Sequence, residues 1–349
     1  MPVFRVGVVG YGFAGRVIHA PLIRATPGLE LASIVTRDPA RRRQVAAALP
    51  GVAVLASTEA LWALAGTHDL VVVATPTALH ADMALAALNA GLPVVVEKPL
   101  AASLADAAVM AEMSQQTGVP LVAFQNRRWD SDHLTLQHLL AQGALGRVLR
   151  YESRFERWRP TPNPAAWRES TPGPEGGGVL LDLGVHVVDQ AVQLFGSVTR
   201  VYAEIDARRG GADDDVFLAL EHAGGTRSHL WAGALCAAPG PRLRVLGTAA
   251  AFVEEHLDGQ EAALRNGALP GSPAFGYEPL ERWGRLEFGS AQDARPIRSE
   301  LGCWAAFYAG IVQMLQGAPA PVRTEEALEV MAVLDAARVS ATEHRVVSP

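Results

Sequence analysis

Cysteine is scarce in this sequence, and long apolar runs are absent from it. The chain of 349 residues has two cysteines, Cys236 and Cys303, which lie too far apart to suggest a zinc cluster or a disulfide framework. A reducing compartment suits such a chain. No run of about 18 apolar residues free of charge occurs, so no membrane span is predicted. The N-terminus lacks the charged and apolar segments of a signal peptide, and we expect a cytoplasmic protein.

Basic residues are also in short supply. Lysine and arginine together number 30, aspartate and glutamate 36, and the formal net charge is −6. Because nucleic acid phosphates require a basic surface, this balance argues against a nucleic acid partner. Hydrophobic residues make up 49% of the chain and charged residues 19%, which is enough apolar material for sizeable buried cores. At this length two domains are expected.

The first third of the sequence alternates short apolar runs with helical patterns. Strands are predicted at 3–9, 29–35, 52–55, 69–74, 94–96 and 121–124, and helices at 14–25, 39–49, 78–89 and 104–117. Such alternation predicts a parallel sheet with right-handed crossovers. Uninterrupted valine runs suit a sheet that is covered on both faces. Residues 1–124 are therefore predicted to form an α/β domain.

The pattern changes near residue 124, where we place the domain boundary. Longer β-like stretches follow at 147–155, 198–208, 215–220, 226–232 and 242–251, with helices at 178–194, 303–315 and 325–340. Strands that follow one another without intervening helices predict antiparallel pairing. Residues 125–349 are therefore predicted to form an α+β domain with an open, mainly antiparallel sheet and helices on one face.

A glycine-rich segment directly follows the first predicted strand and opens the first predicted helix. It matches the pattern G-x-G-x-x-G, and its residues are Gly10, Tyr11, Gly12, Phe13, Ala14 and Gly15. The first glycine permits a tight turn, the second lets the backbone approach a pyrophosphate, and the third lets the helix pack on the strand. The helix N-terminus offers N–H groups to the phosphates. We therefore predict that residues 1–124 form a Rossmann domain, with Gly10 and Gly12–Gly15 binding a nicotinamide dinucleotide.

The end of the second strand bears on the choice between NAD and NADP. An acidic residue there would bind the ribose 2′-hydroxyl of NAD, but the expected slot holds Thr36 or Arg37. Arg37 could pair with a 2′-phosphate, so NADP is favoured over NAD. Thr75 and Pro76 follow another buried strand, where they could line the dinucleotide or form a plain turn. His80, one helical turn later, could touch the cofactor or cap the helix.

Two further segments place titratable side chains at buried elements. Glu97-Lys98-Pro99 ends a strand where the reactive end of the dinucleotide is expected, although a surface ion pair is the alternative. On the helix predicted at 178–194, three titratable groups share one face. Burying them in an apolar core would cost free energy, so we predict that this face lines a site next to the cofactor. Those groups are Asp182, His186 and Asp189. They could also hold a divalent cation, but no histidine or cysteine cluster supports this, and no metal site is predicted.

These motifs, in this order, resemble the Gfo/Idh/MocA oxidoreductases over the whole chain. The resemblance rests on the Gly10 loop, on Glu97-Lys98-Pro99 and on Asp182-x-Gly184-x-His186-x-x-Asp189. The segment 125–130, QNRRWD, is similar to the subgroup that contains NADP-dependent scyllo-inositol dehydrogenases.

The resemblance implies roles for the matching positions. Lys98 would hydrogen-bond the reacting oxygen, His186 would accept the proton or share it with Lys98, and Asp182 would orient one of them. Glu97 would fix the nicotinamide ribose or the lysine. The implied reaction transfers hydride between a secondary alcohol carbon of a sugar or cyclitol and the nicotinamide.

Substrate contacts are expected from side chains that suit a polyol. The candidates are Asn126, Arg127, Trp158, Trp167 and His186, and the two tryptophans could instead be ordinary packing. The resemblance further implies a homodimer or homotetramer, because the open sheet of the second domain often forms the dimer interface in the family. Two alternatives stay open: a non-catalytic dinucleotide-binding regulator of the same fold, and a reductase for a non-sugar carbonyl.

Overall fold

The computed structural model describes residues 2–349. Within this range the chain forms two compact units, and neither is contiguous in sequence. The first contains the chain up to Phe124 with Gln260–Phe275 and Cys303–Glu325, and the second contains Gln125–Gly259, Gly276–Gly302 and Glu326–Pro349. The boundary expected near residue 124 therefore describes only the first change of unit, because two later segments pack with the N-terminal part of the chain.

A parallel sheet forms the centre of the first unit. Its strands are β1 (Phe4–Val9), β2 (Leu29–Val35), β3 (Ala53–Leu55), β4 (Leu70–Val73), β5 (Val94–Glu97) and β6 (Leu121–Phe124). They lie in the order β3-β2-β1-β4-β5-β6, and each neighbouring pair is parallel. This is the strand order of a dinucleotide-binding Rossmann fold, which confirms the predicted class. All residues of β4 and β5 are buried, because helices cover both faces of such a sheet.

Helices surround the strands in both units. The α-helices of residues 2–349 are α1 (Ala20–Ala25), α2 (Pro39–Ala48), α3 (Thr58–Trp62), α4 (His80–Asn89), α5 (Leu104–Thr117), α6 (Ser131–Ala141), α7 (Trp167–Ser170), α8 (Val185–Phe195), α9 (Gln260–Arg265), α10 (Ala305–Leu315) and α11 (Thr324–Glu343). Short 3₁₀ turns lie at Ala65–Thr67, Thr77–Leu79, Asn126–Trp129, Gly173–Glu175, Leu280–Arg282 and Ala291–Asp293. Two wider π-helical turns, Ala14–His19 and Leu180–Gly184, run into α1 and α8. Both coincide with segments that the sequence marks as functional, where such turns are common.

Side-chain contacts explain why the two later segments join the first unit. The ring of Phe307 in α10 meets Phe124 of β6 edge-on, with 4.8 Å between ring centroids. The backbone N–H of Trp304 donates to the side-chain oxygen of Gln260 at 2.8 Å, and both residues are buried. The hydroxyl of Thr324 donates to the carbonyl oxygen of Leu121 at 2.8 Å. Polar groups of the two later segments thus find partners up to 203 positions away in the sequence.

The second unit is built on one mixed sheet. Its strands are β7 (Val148–Glu156), β8 (Val198–Asp206), β9 (Asp215–His222), β10 (Arg227–Gly233), β11 (Leu243–Gly247), β12 (Ala251–Glu254), β13 (Arg285–Glu287) and β14 (Arg295–Pro296). They lie in the order β14-β13-β12-β11-β7-β10-β9-β8. Every pair is antiparallel except β7 with β10, which is parallel. The predicted α+β class with a mainly antiparallel sheet is therefore confirmed.

Two details of this sheet differ from the expected one. The stretch 242–251, predicted as one strand, contains β11 and the turn into β12. A hydrogen bond from the Gly247 N–H to the Ala250 carbonyl at 3.0 Å closes this turn. A side chain on Gly247 would lie 2.0 Å from the Leu145 carbonyl oxygen, so glycine is required where the chain turns. The short strands β13 and β14 were not predicted, since three and two residues are too few to show a period.

Burial gives one carboxyl group of this sheet an unusual pKa. Glu254, the last residue of β12, is 3% exposed, and its burial raises its pKa to about 7. The carboxylates of Asp132 and Glu278 act in the same direction, while the backbone N–H of His256 opposes them. The folded protein therefore holds this proton more tightly than the unfolded chain does. The resulting stability is present below the ordinary glutamate pKa of about 4.3 and is lost as the pH rises through about 7.

We expect Glu254→Gln to remove this pH dependence, because an amide resembles the protonated acid but cannot ionise. At pH 8 the variant should exceed wild type in free energy of unfolding by up to ~3 kcal/mol, with the difference vanishing near pH 4. Urea unfolding between these pH values measures the effect. The matched control is Glu255→Gln, since Glu255 is exposed and pairs with Arg285 on the surface. Equal pH profiles for wild type and Glu254→Gln would contradict the assignment.

Candidate active site

The glycine loop after β1 owes its shape to two glycines that leave no room for a side chain. Gly10 has a φ of +104°, and a Cβ there would lie 2.5 Å from the carbonyl oxygen of Ala74. A Cβ on Gly15 would lie 2.1 Å from the carbonyl oxygen of Gly10. Both contacts are with backbone atoms, which cannot move aside cheaply. These glycines let the first helix start directly against the sheet, as the sequence pattern requires.

Gly12 differs from these two, because a Cβ there would meet no atom within 4 Å. The protein's own packing therefore does not require a glycine at this position, and the backbone faces open space. Nearby in the sheet, the hydroxyl of Thr75 follows β4 and is buried without a hydrogen-bond partner among residues 2–349. An open backbone approach and an unpaired buried hydroxyl at the carboxyl ends of adjacent strands fit a dinucleotide.

Phe13 and Ala14 complete the loop. The guanidinium of Arg265, in α9, lies over the Phe13 ring at 4.1 Å and is held by Glu261 of the same helix at 2.8 Å. No local pattern connects Arg265 with the loop, since the two are far apart in the sequence. The contact places a cation beside the loop that is expected to bind phosphates.

The three residues after β2 lie in different surroundings. Thr36 is buried, and its N–H donates to the Leu55 carbonyl at 3.0 Å, whereas Arg37 is exposed. The carboxylate of Asp38 accepts from the N–H groups of Ala40 and Arg41, so Asp38 is the N-cap of α2. The side chain of Asp38 is thus engaged by its own helix, which leaves Arg37 as the exposed charged residue directly after the strand.

Pro76 and His80 lie in the turn that follows β4. Pro76 is exposed and precedes the 3₁₀ turn that leads into α4. His80 is buried, with Nδ1 2.9 Å from the Pro99 carbonyl oxygen and Nε2 3.1 Å from the Thr75 carbonyl oxygen. Both ring nitrogens therefore contact main-chain oxygens. His80 ties the turn after β4 to the segment after β5.

Glu97 is the last residue of β5 and is buried at 6% exposure. One carboxylate oxygen lies 3.0 Å from Nε2 of His19, and the other accepts the backbone N–H of Lys98 at 3.0 Å. His19 in turn contacts the hydroxyl of Tyr308 at 2.6 Å. Neither His19 nor Tyr308 was singled out in the sequence, and no local pattern could have revealed a pair 289 residues apart.

Lys98 itself is half-buried and directly follows β5. It is also the only lysine in the chain, and every other residue among the 30 lysines and arginines is an arginine. This composition is a sequence signal that complements the Glu97-Lys98-Pro99 motif. Lysine and arginine differ in that only lysine readily changes its protonation state, so a lone lysine at a strand end of this sheet points to proton chemistry.

In the second unit, Asp182 and His186 lie on the turn and helix that the sequence predicted. Asp182 is partly exposed and pairs with Arg168 at 3.0 Å. The Arg168 guanidinium also lies over the Trp167 ring at 4.4 Å, so it connects that tryptophan to Asp182. His186 is buried, and its ring stacks on Phe155 of β7 at 6.0 Å between centroids.

Asp189 does not share this environment, and here the sequence argument was wrong. Its carboxylate receives two hydrogen bonds from Arg128, at 2.9 and 2.7 Å, and both side chains are buried. Glu326 binds the same guanidinium at 2.6 Å. Burial alone would lower the pKa of Arg128, but Asp189 and Glu326 together raise it above its ordinary value. A buried, doubly hydrogen-bonded ion pair satisfies Asp189 within the fold, so no cofactor is needed to explain that polar group.

The remaining predicted substrate residues divide by exposure. Arg127 is buried, pairs with Asp130 at 3.0 Å, and lies over the Phe155 ring at 4.7 Å. It thus reaches the ring on which His186 stacks. Asn126 is buried at the start of the 3₁₀ turn after β6. Trp158, in contrast, is 58% exposed.

Among residues 2–349, no group of three or more histidine, cysteine, aspartate or glutamate side chains could hold a metal ion. In the same part of the chain, no helix is long and apolar enough to cross a membrane.

The chain matches known proteins in both units. Residues 4–124 match the oxidoreductase family with an NAD-binding Rossmann fold, and residues 133–253 match the GFO/IDH/MocA C-terminal domain. The protein belongs to the Gfo/Idh/MocA oxidoreductases. This confirms the resemblance that the motifs indicated, and the protein is accordingly an NAD(P)-dependent oxidoreductase.

Several relatives of this Gfo/Idh/MocA protein match along nearly its whole length. The scyllo-inositol 2-dehydrogenase (NADP(+)) IolW of Bacillus subtilis (strain 168) is 34% identical, over 98% of this chain and 95% of its own. The uncharacterised oxidoreductase YdgJ of Escherichia coli (strain K12) is 36% identical, over 98% of this chain and 97% of its own. The solved structure of the oxidoreductase yvaA from Bacillus subtilis has a TM-score of 0.91 at 31% identity, covering 99% of this chain and 98% of its own.

The different surroundings of the glycines predict separable effects on binding and stability. We expect Gly12→Ala to raise the Kd for NADPH at least ~10-fold, because the added methyl group occupies the space through which the pyrophosphate approaches. The thermal midpoint of the free protein should stay within about 2 °C of wild type, since the methyl group meets no protein atom. Fluorescence titration and thermal unfolding measure the two effects.

The matched control is Gly66→Ala, at another glycine whose added Cβ would meet nothing within 4 Å. It should change neither quantity. Unchanged NADPH binding in Gly12→Ala would show that the dinucleotide does not approach this backbone.

Proposed function

We propose that this oxidoreductase transfers hydride between a secondary alcohol carbon of a sugar or cyclitol and a nicotinamide dinucleotide, with NADP preferred. The observation that carries the proposal is the position of Lys98. It follows β5 in the same parallel sheet in which β1 leads into the glycine loop, and parallel strands present their carboxyl ends at one edge. The similarity to scyllo-inositol 2-dehydrogenase (NADP(+)) supports the substrate class and the cofactor.

The proposed chemistry divides between the cofactor and the chain. When bound, the dinucleotide supplies the hydride acceptor, or the donor in the reverse direction. The Lys98 ammonium donates a hydrogen bond to the reacting oxygen and stabilises negative charge that develops there. His186 accepts the hydroxyl proton or shares it with Lys98, and Asp182 orients one of these groups. We assign Lys98 and His186 to one reaction because their motifs, in this order along the chain, resemble those of the Gfo/Idh/MocA oxidoreductases.

We assign dinucleotide binding to the first unit. The glycine loop would hold the pyrophosphate through Gly10 and Gly12–Gly15. Thr36 and Arg37 would meet the adenosine ribose, and the 2′-phosphate of NADP would pair with Arg37. The buried Thr75 hydroxyl would donate to the dinucleotide, with Pro76 beside it. The contacts of His80 and Glu97 with neighbouring backbone suit a role in fixing the segments around the cofactor.

Substrate binding is assigned to the second unit. Asn126, Arg127 and His186 would offer donors and acceptors, and Trp158 and Trp167 an apolar wall. The exposed aromatic ring of Trp158 is available for stacking on a sugar. A cytoplasmic location and a homodimer or homotetramer belong to the same proposal. Static light scattering of the purified protein tests the oligomer, and a monomer at micromolar concentration would contradict it.

A panel of inositols and aldoses tests the function directly. With NADP⁺ at alkaline pH, at least one polyol or sugar should produce the nicotinamide absorbance of the reduced cofactor. With that substrate, we expect Lys98→Met to lower kcat at least ~10²-fold while the Kd for NADPH stays near wild type. The reason is that the variant loses the cation beside the reacting oxygen but none of the proposed phosphate contacts.

The outcomes separate the competing functions. Absence of turnover with every polyol and sugar, together with tight NADPH binding, would favour a dinucleotide-binding regulator. Turnover of simple ketones or aldehydes alone would favour a non-sugar carbonyl reductase. Full activity of Lys98→Met would remove that residue from the mechanism.

Cofactor choice has its own test at Arg37. We expect Arg37→Ala to lower kcat/KM for NADP⁺ by about 10- to 100-fold while changing the value for NAD⁺ less than ~3-fold, because only NADP⁺ carries the 2′-phosphate. Arg43→Ala is the control, since Arg43 is an exposed arginine later in α2. A wild-type enzyme that prefers NAD⁺ would overturn the assignment.

A further inference from the structure

Three buried polar side chains from distant parts of the chain meet inside the first unit. His19 ends the π-helical turn that follows the glycine loop, Glu97 ends β5, and Tyr308 lies in α10. Their exposures are 0%, 6% and 0%. The Tyr308 hydroxyl is 2.6 Å from Nδ1 of His19, and Nε2 of His19 is 3.0 Å from Glu97. We call this chain of contacts the Tyr308–His19–Glu97 relay.

The proton positions in the relay follow from its chemistry. Burial raises the pKa of Tyr308 well above its ordinary value, and the Glu97 charge acts in the same direction, so the phenol keeps its proton. An ionised carboxylate only accepts hydrogen bonds, so Nε2 of His19 donates to Glu97. In an imidazole ring whose one proton is on Nε2, Nδ1 accepts, and the Tyr308 hydroxyl donates to it.

The relay acts on Lys98 through the second oxygen of Glu97. That oxygen accepts the Lys98 backbone N–H at 3.0 Å, while the first is held by His19. A carboxylate fixed at both oxygens fixes the main chain from which the Lys98 side chain leaves. Displacement of a reacting group by about 1 Å can cost as much as ~10²-fold in rate. The relay is therefore placed to set the position of Lys98 without touching substrate.

Packing does not account for the polar groups of the relay. The rings of Phe124 and Phe307 adjoin it, with Phe124 at 4.4 Å from His19 and at 4.8 Å from Phe307 between centroids. An apolar ring at position 308 would fill the same space in these surroundings. The Tyr308 hydroxyl is explained by its hydrogen bond with His19, and the polar ring of His19 by its hydrogen bond with Glu97.

We propose that Tyr308 and His19 are positioning residues for Lys98, which they hold in place through Glu97. The inference rests on the proposed function, since it assumes that Lys98 acts on the substrate. It adds that a residue from the C-terminal third of the chain takes part in setting the geometry of the reaction.

The lone lysine allows a direct test in the protein without cofactor. Because Lys98 is the only lysine, labelling with ¹⁵N-lysine yields one backbone amide signal, that of the N–H group that donates to Glu97. We expect Tyr308→Phe to shift this signal and to speed its hydrogen exchange at least ~10-fold. Tyr202→Phe is the matched control, because it also removes a hydrogen-bonded tyrosine hydroxyl, one that donates to Glu204 at 3.1 Å on the surface of the second unit. An unchanged Lys98 signal in Tyr308→Phe would overturn the proposal.

Kinetics with the substrate found in the panel provide the second readout. Tyr308→Phe should lower kcat about 5- to 50-fold while changing the substrate KM and the Kd for NADPH less than ~3-fold. His19→Gln should retain more activity than His19→Leu, since an amide can both accept from Tyr308 and donate to Glu97. Added to Lys98→Met, Tyr308→Phe should have no further effect, because the group that it positions is gone.

The outcomes distinguish this inference from the proposed function. If Lys98→Met is inactive and Tyr308→Phe keeps the wild-type kcat, the positioning role fails and the function stands. If Tyr308→Phe lowers kcat equally with and without Lys98, the relay acts elsewhere and the inference is overturned. If Lys98→Met is fully active, Lys98 has no role in the reaction and the positioning role fails with it, while turnover of the sugar or cyclitol still supports the proposed function.

Discussion

The carbonyl oxygen of Gly10 occupies the place that a side chain on Gly15 would need, and the first unit depends on this contact. A Cβ at Gly15 would lie 2.1 Å from that oxygen, and a Cβ at Gly10 would lie 2.5 Å from the Ala74 carbonyl oxygen. Only glycines let β1 turn back so tightly and the helix begin beside its end. The backbone of Gly12 is then presented to open space at the carboxyl edge of the sheet, where a phosphate group can approach the chain.

The same turn determines where His19 lies, and through it the environment of Glu97. The helix that begins at the glycine loop brings His19 into the core after about one wide turn, next to the end of β5. A buried carboxylate is costly unless charged or polar groups bind it, and Glu97 obtains its partners from that helix and from the N–H of its own successor. The glycine loop and the Lys98 segment are thereby connected through one buried side chain.

Much of the fold could be predicted because its signals are local. Strand and helix alternation and the G-x-G-x-x-G spacing each involve residues within a few positions of one another. The contacts that escaped prediction join residues with no sequence relation. Tyr308 meets His19 across 289 positions, and Arg265 meets Phe13. The parallel pairing of β7 with β10 is likewise a property of the whole sheet rather than of either strand.

Helix α8 and the turn before it show why a polar face alone does not define a site. Asp182 and Asp189 belong to the same helical repeat and looked equivalent in the sequence. Asp189 is bound on both oxygens by Arg128 within the core, whereas Asp182 is partly exposed and paired with Arg168. The cost of a buried carboxylate argues for a partner, and that partner can be an arginine of the fold as readily as a ligand.

The choice between arginine and lysine also separates charges that stabilise the fold from charges proposed to act on a ligand. The ion pairs that stabilise this chain, such as those of Arg128 and Arg127, are formed by arginine. Its planar guanidinium binds carboxylates at two points and does not give up its proton at any physiological pH. The same stability makes arginine unsuitable for passing a proton to or from a reacting oxygen. Lysine, unlike arginine, can change its charge, and the one lysine of this chain follows β5, which pairs with β4, the neighbour of β1 and its glycine loop. This position is the reason why the proposed reaction is assigned to Lys98.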